Sequence, residues 1–191
     1  MLRLGILLNL IYVLIMSDML MKRDKLMMDL HSLVSTAKDR VATFQDIAEL
    51  LRSSGSYRWV GLYDVDYTAG VVRNIVLSGP SASEYPTFPI TKGLTGAAIS
   101  SGRTVNVGDV AADSRYLTAF GTTRSEIVVP VFDGTSESVV GTIDVESEKP
   151  NAFYKGEGQE KKHLWRLEGA GLFAALSSPC HVERLWGIRS S

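Results

Sequence analysis

The chain has 191 residues, enough for one domain around a single core. Apolar residues make up 45% and charged residues 21%, an ordinary globular composition, and 20 basic against 21 acidic residues leave a net charge of -1. That balance argues against nucleic acid or anionic lipid as a partner, and the one cysteine, Cys180, excludes an intrachain disulfide and a cysteine-built metal centre.

Read in chain order, the first feature is an apolar run from Leu4 to Met16 behind Arg3. A membrane-spanning helix needs about 20 apolar residues, so the run is too short to span. Its length suits the centre of a signal peptide, but no small-x-small cleavage site follows. An over-extended start is a third reading, because Met16, Met19 and Met21 could each begin a chain. Signal or anchor, over-extended start and buried helix stay open for residues 1–22. The lack of disulfide-forming cysteines leans toward a cytoplasmic protein, with no membrane partner expected.

From Lys25 to Ser53 the pattern is helical. Leu26, Leu30, Leu33 and Val34 recur at three- and four-residue spacing, and Val41, Phe44, Ile47, Ala48 and Leu51 do so again. Asp39-Arg40 marks a break between two helices, and Gly55 suits a left-handed cap. Tyr57 to Val65 and Val71 to Leu77 are strands joined by a turn at residues 67–70, and Pro86 and Pro89 bracket a short extended piece. Gly93 to Ser101 is a short helix with Leu94, Ala97, Ala98 and Ile99 on its apolar face and Gly102 as its stop. Residues 104–107 form a short strand. A long connection from Asp109 to Thr123 holds small helical turns at most. Ser125 to Phe132 is a strongly apolar strand, Asp133-Gly134 a turn, and Val139 to Val145 the partner strand. Antiparallel pairs with helices at the ends predict an α+β fold, a central antiparallel sheet flanked by helices. After Tyr154 the glycines at 169 and 171 and Pro179 interrupt any helical stripe. Residues 155–191 read either as a helix with a loose tail or as non-native sequence, and 23–154 as the domain.

Four landmarks carry a family resemblance: Trp59-x-Gly61-x-Tyr63 on the first strand; Lys92-Gly93-Leu94-Thr95-Gly96 opening the short helix; Arg124-Ser125-Glu126-Ile127-Val128-Val129-Pro130; and Gly141-x-x-Asp144-x-Glu146-Ser147. Together they resemble the GAF domains of free methionine-(R)-sulfoxide reductases. The resemblance implies a GAF-like sheet and a pocket for a free amino acid lined by Trp59, Tyr63, Glu126, Asp144 and Glu146. The family's last strand carries Asp-x-Asp; here Glu146 is one methylene longer. Positions two apart on a strand share a face, so Trp59, Gly61 and Tyr63 face one way, and Asp144 and Glu146 do too. Carboxylates there need a counter-charge or solvent. A ligand ammonium would supply the charge, with a cation–π contribution of ~1 kcal/mol from the rings. The plain alternatives are a core tryptophan and acids solvated at a strand end.

The resemblance also implies a cysteine at three positions, occupied here by Thr95, Asn106 and Ala119. Sulfoxide reduction by that chemistry needs a nucleophilic thiolate and a resolving thiol, so no catalytic residue is expected. No cofactor is expected, and no metal: His31, His163 and His181 show no ligand spacing, and no calcium loop or phosphate-binding glycine motif occurs. Three functions follow as alternatives: a sensor or regulatory module binding a small polar ligand, a cysteine-poor reductase, or a structural dimerisation unit. Family GAF domains often form homodimers through terminal helices, which makes Leu26 to Leu51 a candidate interface. Any signal transduction would run through another protein.

Overall fold

The computed structural model describes residues 21–22, 24–55, 57–80, 85–118, 120–132 and 138–153. The N-terminal apolar run, Ala119, the Asp133-Gly134 turn and everything from 154 onward lie outside the described residues. No helix among the described residues is long and apolar enough to cross a membrane.

Residues 24–35 form helix α1 and Arg40–Ser54 helix α2. The break between them falls at Asp39, as the sequence predicts. Asp39 is extended (φ -124°) and its carboxylate accepts from the Ala42 amide at 2.7 Å, an N-cap that satisfies one of the orphan amides of α2. Two expectations fail here. Gly55 ends α2 at φ -120°, not in the left-handed region, because the chain turns straight back to bring Tyr57 over it. Val41 is 54% exposed, because the buried stripe of α2 runs through Thr43, Phe44, Ile47, Ala48 and Leu51 and leaves Val41 on the solvent side.

Six strands follow: β1 (Trp59–Asp66), β2 (Val71–Ser78), β3 (Thr87–Pro89), β4 (Val105–Val107), β5 (Ser125–Phe132) and β6 (Val139–Ser147). They form one sheet in the order β3-β2-β1-β6-β5-β4, with every pair antiparallel. This is the α+β architecture expected, and the predicted main strands are its central ones. Helix α3 (Gly93–Ser101) separates β3 from β4 and ends at Gly102, whose φ of 60° lets its amide close on the Ile99 carbonyl. The long connection holds a single 3-10 turn, Val110–Ala112, capped by Asp109.

The sheet has two unlike faces. On one, Val60, Leu62, Ile127, Val129, Ile143 and Val145 pack with Leu30 and Val34 of α1 and Phe44, Ile47, Ala48 and Leu51 of α2, forming the main core. The other carries two smaller apolar clusters, one around Trp59, Tyr63, Val72 and Phe88 and one around Leu94, Ala98, Val107 and Val128. On that side α3 lies against β4, β5 and β6, and the ionisable residues sit between the two clusters.

Candidate functional site

Strand register brings the candidate residues together. Trp59 is paired with Glu146, Gly61 with Asp144, Val128 with Asp144, and Glu126 with Glu146. Directly opposed residues project from the same face with Cβ atoms about 4.5–5.5 Å apart. The alternation that sends Ile127, Ile143 and Val145 into the main core therefore sends Glu126, Asp144 and Glu146 to the face under α3. All five candidate ligand residues line one cavity, with a volume of about 40 Å³.

The aromatic wall depends on Gly61. A Cβ there would lie 2.0 Å from the far edge of the Trp59 indole, so only glycine lets the ring lie across the strand. Trp59 then meets Tyr63 at 6.3 Å between ring centroids, Tyr63 meets Phe88 edge-on at 5.7 Å, and Phe120 closes on Trp59 at 5.9 Å. These are the separations that favour tilted aromatic pairs. The indole Nε1 is buried and has no hydrogen-bond partner.

The acids are not solvated at a strand end. Strand β6 runs on to Ser147, and Glu126, Asp144 and Glu146 are only 7%, 5% and 5% exposed. Each deals with burial differently. Asp144 accepts from the Thr95 hydroxyl at 2.7 Å through Oδ2, while Oδ1 is buried and without a partner. Burial pushes its carboxyl up to about 7, against the lowering effect of the Thr95 bond. Glu146 accepts from the Thr123 hydroxyl; burial raises it, and that hydrogen bond and the Arg58 charge pull it back. Glu126 is raised well above the usual carboxylate range by burial first, then by repulsion from Glu146 and Asp144. No Lys, Arg or His among the described residues lines the cavity. Nor do the described residues hold a group of three or more His, Cys, Asp or Glu arranged for a metal ion.

A roof beside this cavity starts at Leu117, which is part of its wall. Phe120 lies between the Trp59 ring and the Arg58 guanidinium, which sits 5.1 Å from the Phe120 centroid. Arg58 pairs with Glu148, and Thr122 donates to the same carboxylate at 2.9 Å. The hydroxyls of Thr122 and Thr123 thus fasten the connection to exposed Glu148, just past β6, and to buried Glu146 within it.

The three cysteine-equivalent positions separate. Thr95 is 4% exposed and inside the site. Asn106 is paired with Ile127 and so lies on the other face, where its amide donates to the Phe153 carbonyl at 3.4 Å. Ala119 lies outside the described residues. Sequence reasoning missed Thr95 and Thr123 as partners of the acids and missed Tyr85, Phe88 and Leu117 as lining. The large apolar side chains of Leu117 and Phe120 in a connection with no strand or long helix are the signal that could have marked the roof.

Comparison with known proteins agrees with this fold. A family model described as "GAF domain" matches residues 39–162. The chain is 25% identical over 132 residues to GAF domain-containing protein A of Dictyostelium discoideum, covering 68% of this chain and 79% of that one. Its fold superposes on the free methionine-R-sulfoxide reductase of Neisseria meningitidis in complex with its substrate, with a TM-score of 0.65 and 27% identity over 82% of this chain and 89% of that one. The type II free methionine-R-sulfoxide reductase of Thermoplasma acidophilum matches with a TM-score of 0.60 and 26% identity, over 81% of this chain and 96% of that one.

Proposed function

This chain belongs to the GAF domain family, and from that premise we propose that it is a regulatory small-molecule-binding domain whose ligand carries an ammonium group, as a free amino acid or its derivative does. One observation carries the reading. Three buried carboxylates meet at one cavity with no cation among the described lining residues, and Oδ1 of Asp144 is left without a partner. Burying uncompensated carboxylates is costly, and a cationic ligand offsets that cost while aromatic faces at Trp59 and Tyr63 flank it.

The second reading is a reductase acting on free methionine sulfoxide, favoured by the similarity to such enzymes at 27% and 26% identity. Its chemistry needs a thiol at the site. Thr95 cannot supply one, and a threonine hydroxyl bound to a carboxylate cannot form a disulfide. The third reading, a dimerisation unit, makes the cavity incidental.

Calorimetry with L-methionine, methionine sulfoxide and other amino acids at pH 8 separates these. Saturable heat is expected; silence with all of them puts the dimerisation unit ahead. Sulfoxide turnover with thioredoxin or dithiothreitol should not exceed background. Turnover abolished by Cys180→Ser would establish the reductase and a catalytic tail cysteine.

A further inference from the structure

Thr95 is the third residue of α3, two positions into the helix from Gly93. Its side chain crosses from the helix to β6 and donates to Oδ2 of Asp144 at 2.7 Å, with both residues buried. A threonine in a helix splits between two χ1 wells, and this bond selects the one that reaches the sheet. The bond occupies one carboxylate oxygen and leaves the other, Oδ1, buried and unpartnered beside the cavity. A thiol at this point would be only a weak donor, whereas a hydroxyl gives a short, charge-assisted bond to a carboxylate.

We propose that Thr95 is the positioning residue of the site: its hydroxyl holds Oδ2 of Asp144 so that Oδ1 is the atom presented to the ligand's ammonium group. This rests on the ammonium-binding reading above for the identity of the ligand, and on the apo geometry alone for the role of Thr95. It makes the replacement at a cysteine-equivalent position a gain of a binding device. No titratable group facing Asp144 favours its ionisation. Glu146 lies two residues along β6, Glu126 sits on β5, and the phenols of Tyr63 and Tyr85 line the same cavity. The hydroxyls of Thr95 and Thr142 favour the charged form of Asp144, Thr95 first and through the 2.7 Å bond that crosses from α3 to β6.

The test follows the carboxyl carbon of Asp144 by NMR through a pH titration of the unliganded full chain. Thr95→Val keeps the shape and removes the donor, and should raise the Asp144 midpoint by about 1–2 pH units. Thr95→Ser keeps the donor and should titrate as the parent does. If the valine variant fails to fold, Thr95→Ala serves as the donor-free variant with the same expected direction. An unchanged midpoint in the donor-free variants overturns the proposal, as does a serine variant that shifts as far as valine. With L-methionine as probe at pH 7, Thr95→Val should weaken binding about fivefold, because a midpoint moved from about 7 up by about one unit lowers the ionised fraction that much, with rescue by serine. No binding of L-methionine or other amines to the parent chain sinks the ammonium reading; a serine-rescued titration shift would still establish the positioning role.

Discussion

The two faces of this sheet are built from the same strands and differ at every second residue. Toward α1 and α2 the strands present Val60, Leu62, Ile127, Val129, Ile143 and Val145, which need nothing but each other. Toward α3 they present Glu126, Asp144 and Glu146, whose burial opposes the charge they carry in water. The first face holds the fold together; the second holds a cost that a ligand can relieve. Stability and recognition are thus separated by the pleat of a strand, and substitutions one residue apart should act on different properties.

The largest effect is expected on the apolar face. Phe44→Ala removes a fully buried ring from beneath the sheet and should cost about 3–5 kcal/mol in urea unfolding. Ligand affinity of the folded fraction should stay as it was. Affinity lost in proportion to stability would mean that the two faces are not separable.

Next comes pH. The folded-state carboxyl of Asp144 is raised from 3.8 to about 7 by burial. Between those values the native protein holds a proton that the unfolded chain has released, so this contribution is full below pH 3.8 and is lost as pH rises through 7. Glu126 and Glu146 shift in the same direction. The unliganded protein should therefore be less stable at pH 8 than at pH 5.5, by about 2 kcal/mol from Asp144 alone, and should melt lower. Asp144→Asn should flatten that dependence. A melting temperature that climbs across this range would contradict the burial of the acids.

Glu126→Gln sharpens the comparison further. It removes a charge that the fold disfavours, so the unliganded variant should melt above the parent at pH 8. Binding of an ammonium ligand should weaken by ~1–3 kcal/mol in calorimetry, the usual loss for one partner of a charged hydrogen bond. A variant that is both less stable and unimpaired in binding would reverse the assignment of the two faces.

The smallest effect belongs to the outer surface of α2. Val41→Glu, at an exposed position, should change stability by less than about 0.5 kcal/mol. A larger loss, with a halved mass by light scattering, would identify this helix face as an interface between copies of the chain.

Much of this was legible in the sequence for particular reasons. Strand β5 announces itself through the apolar run from Ile127 to Phe132, and α3 through its bounding glycines at 93 and 102. The facing of Trp59, Tyr63, Asp144 and Glu146 follows from a period of two. Burial of the acids does not follow from any local pattern, since a carboxylate near a strand end reads the same whether or not something covers it. The cover comes from α3 and the 120–123 connection, which are distant in sequence from the residues they shield. Thr95 and Thr123 were invisible as partners for the same reason: a hydroxyl has no periodicity that marks its acceptor.

The roof has a kinetic consequence. The cavity beside it, at about 40 Å³, has room for a few waters, each needing about 10–15 Å³ of such space. An amino acid entering it displaces part of the wall, Leu117 included, and Phe120 and Thr123 follow in the same connection. Those residues are fastened through Thr123 to Glu146, one of the acids that would receive the ligand. Arrival and gate opening thus compete for one carboxylate. In stopped-flow mixing monitored by Trp59 fluorescence, the observed association rate should level off at high ligand concentration, at the rate at which the gate opens by itself.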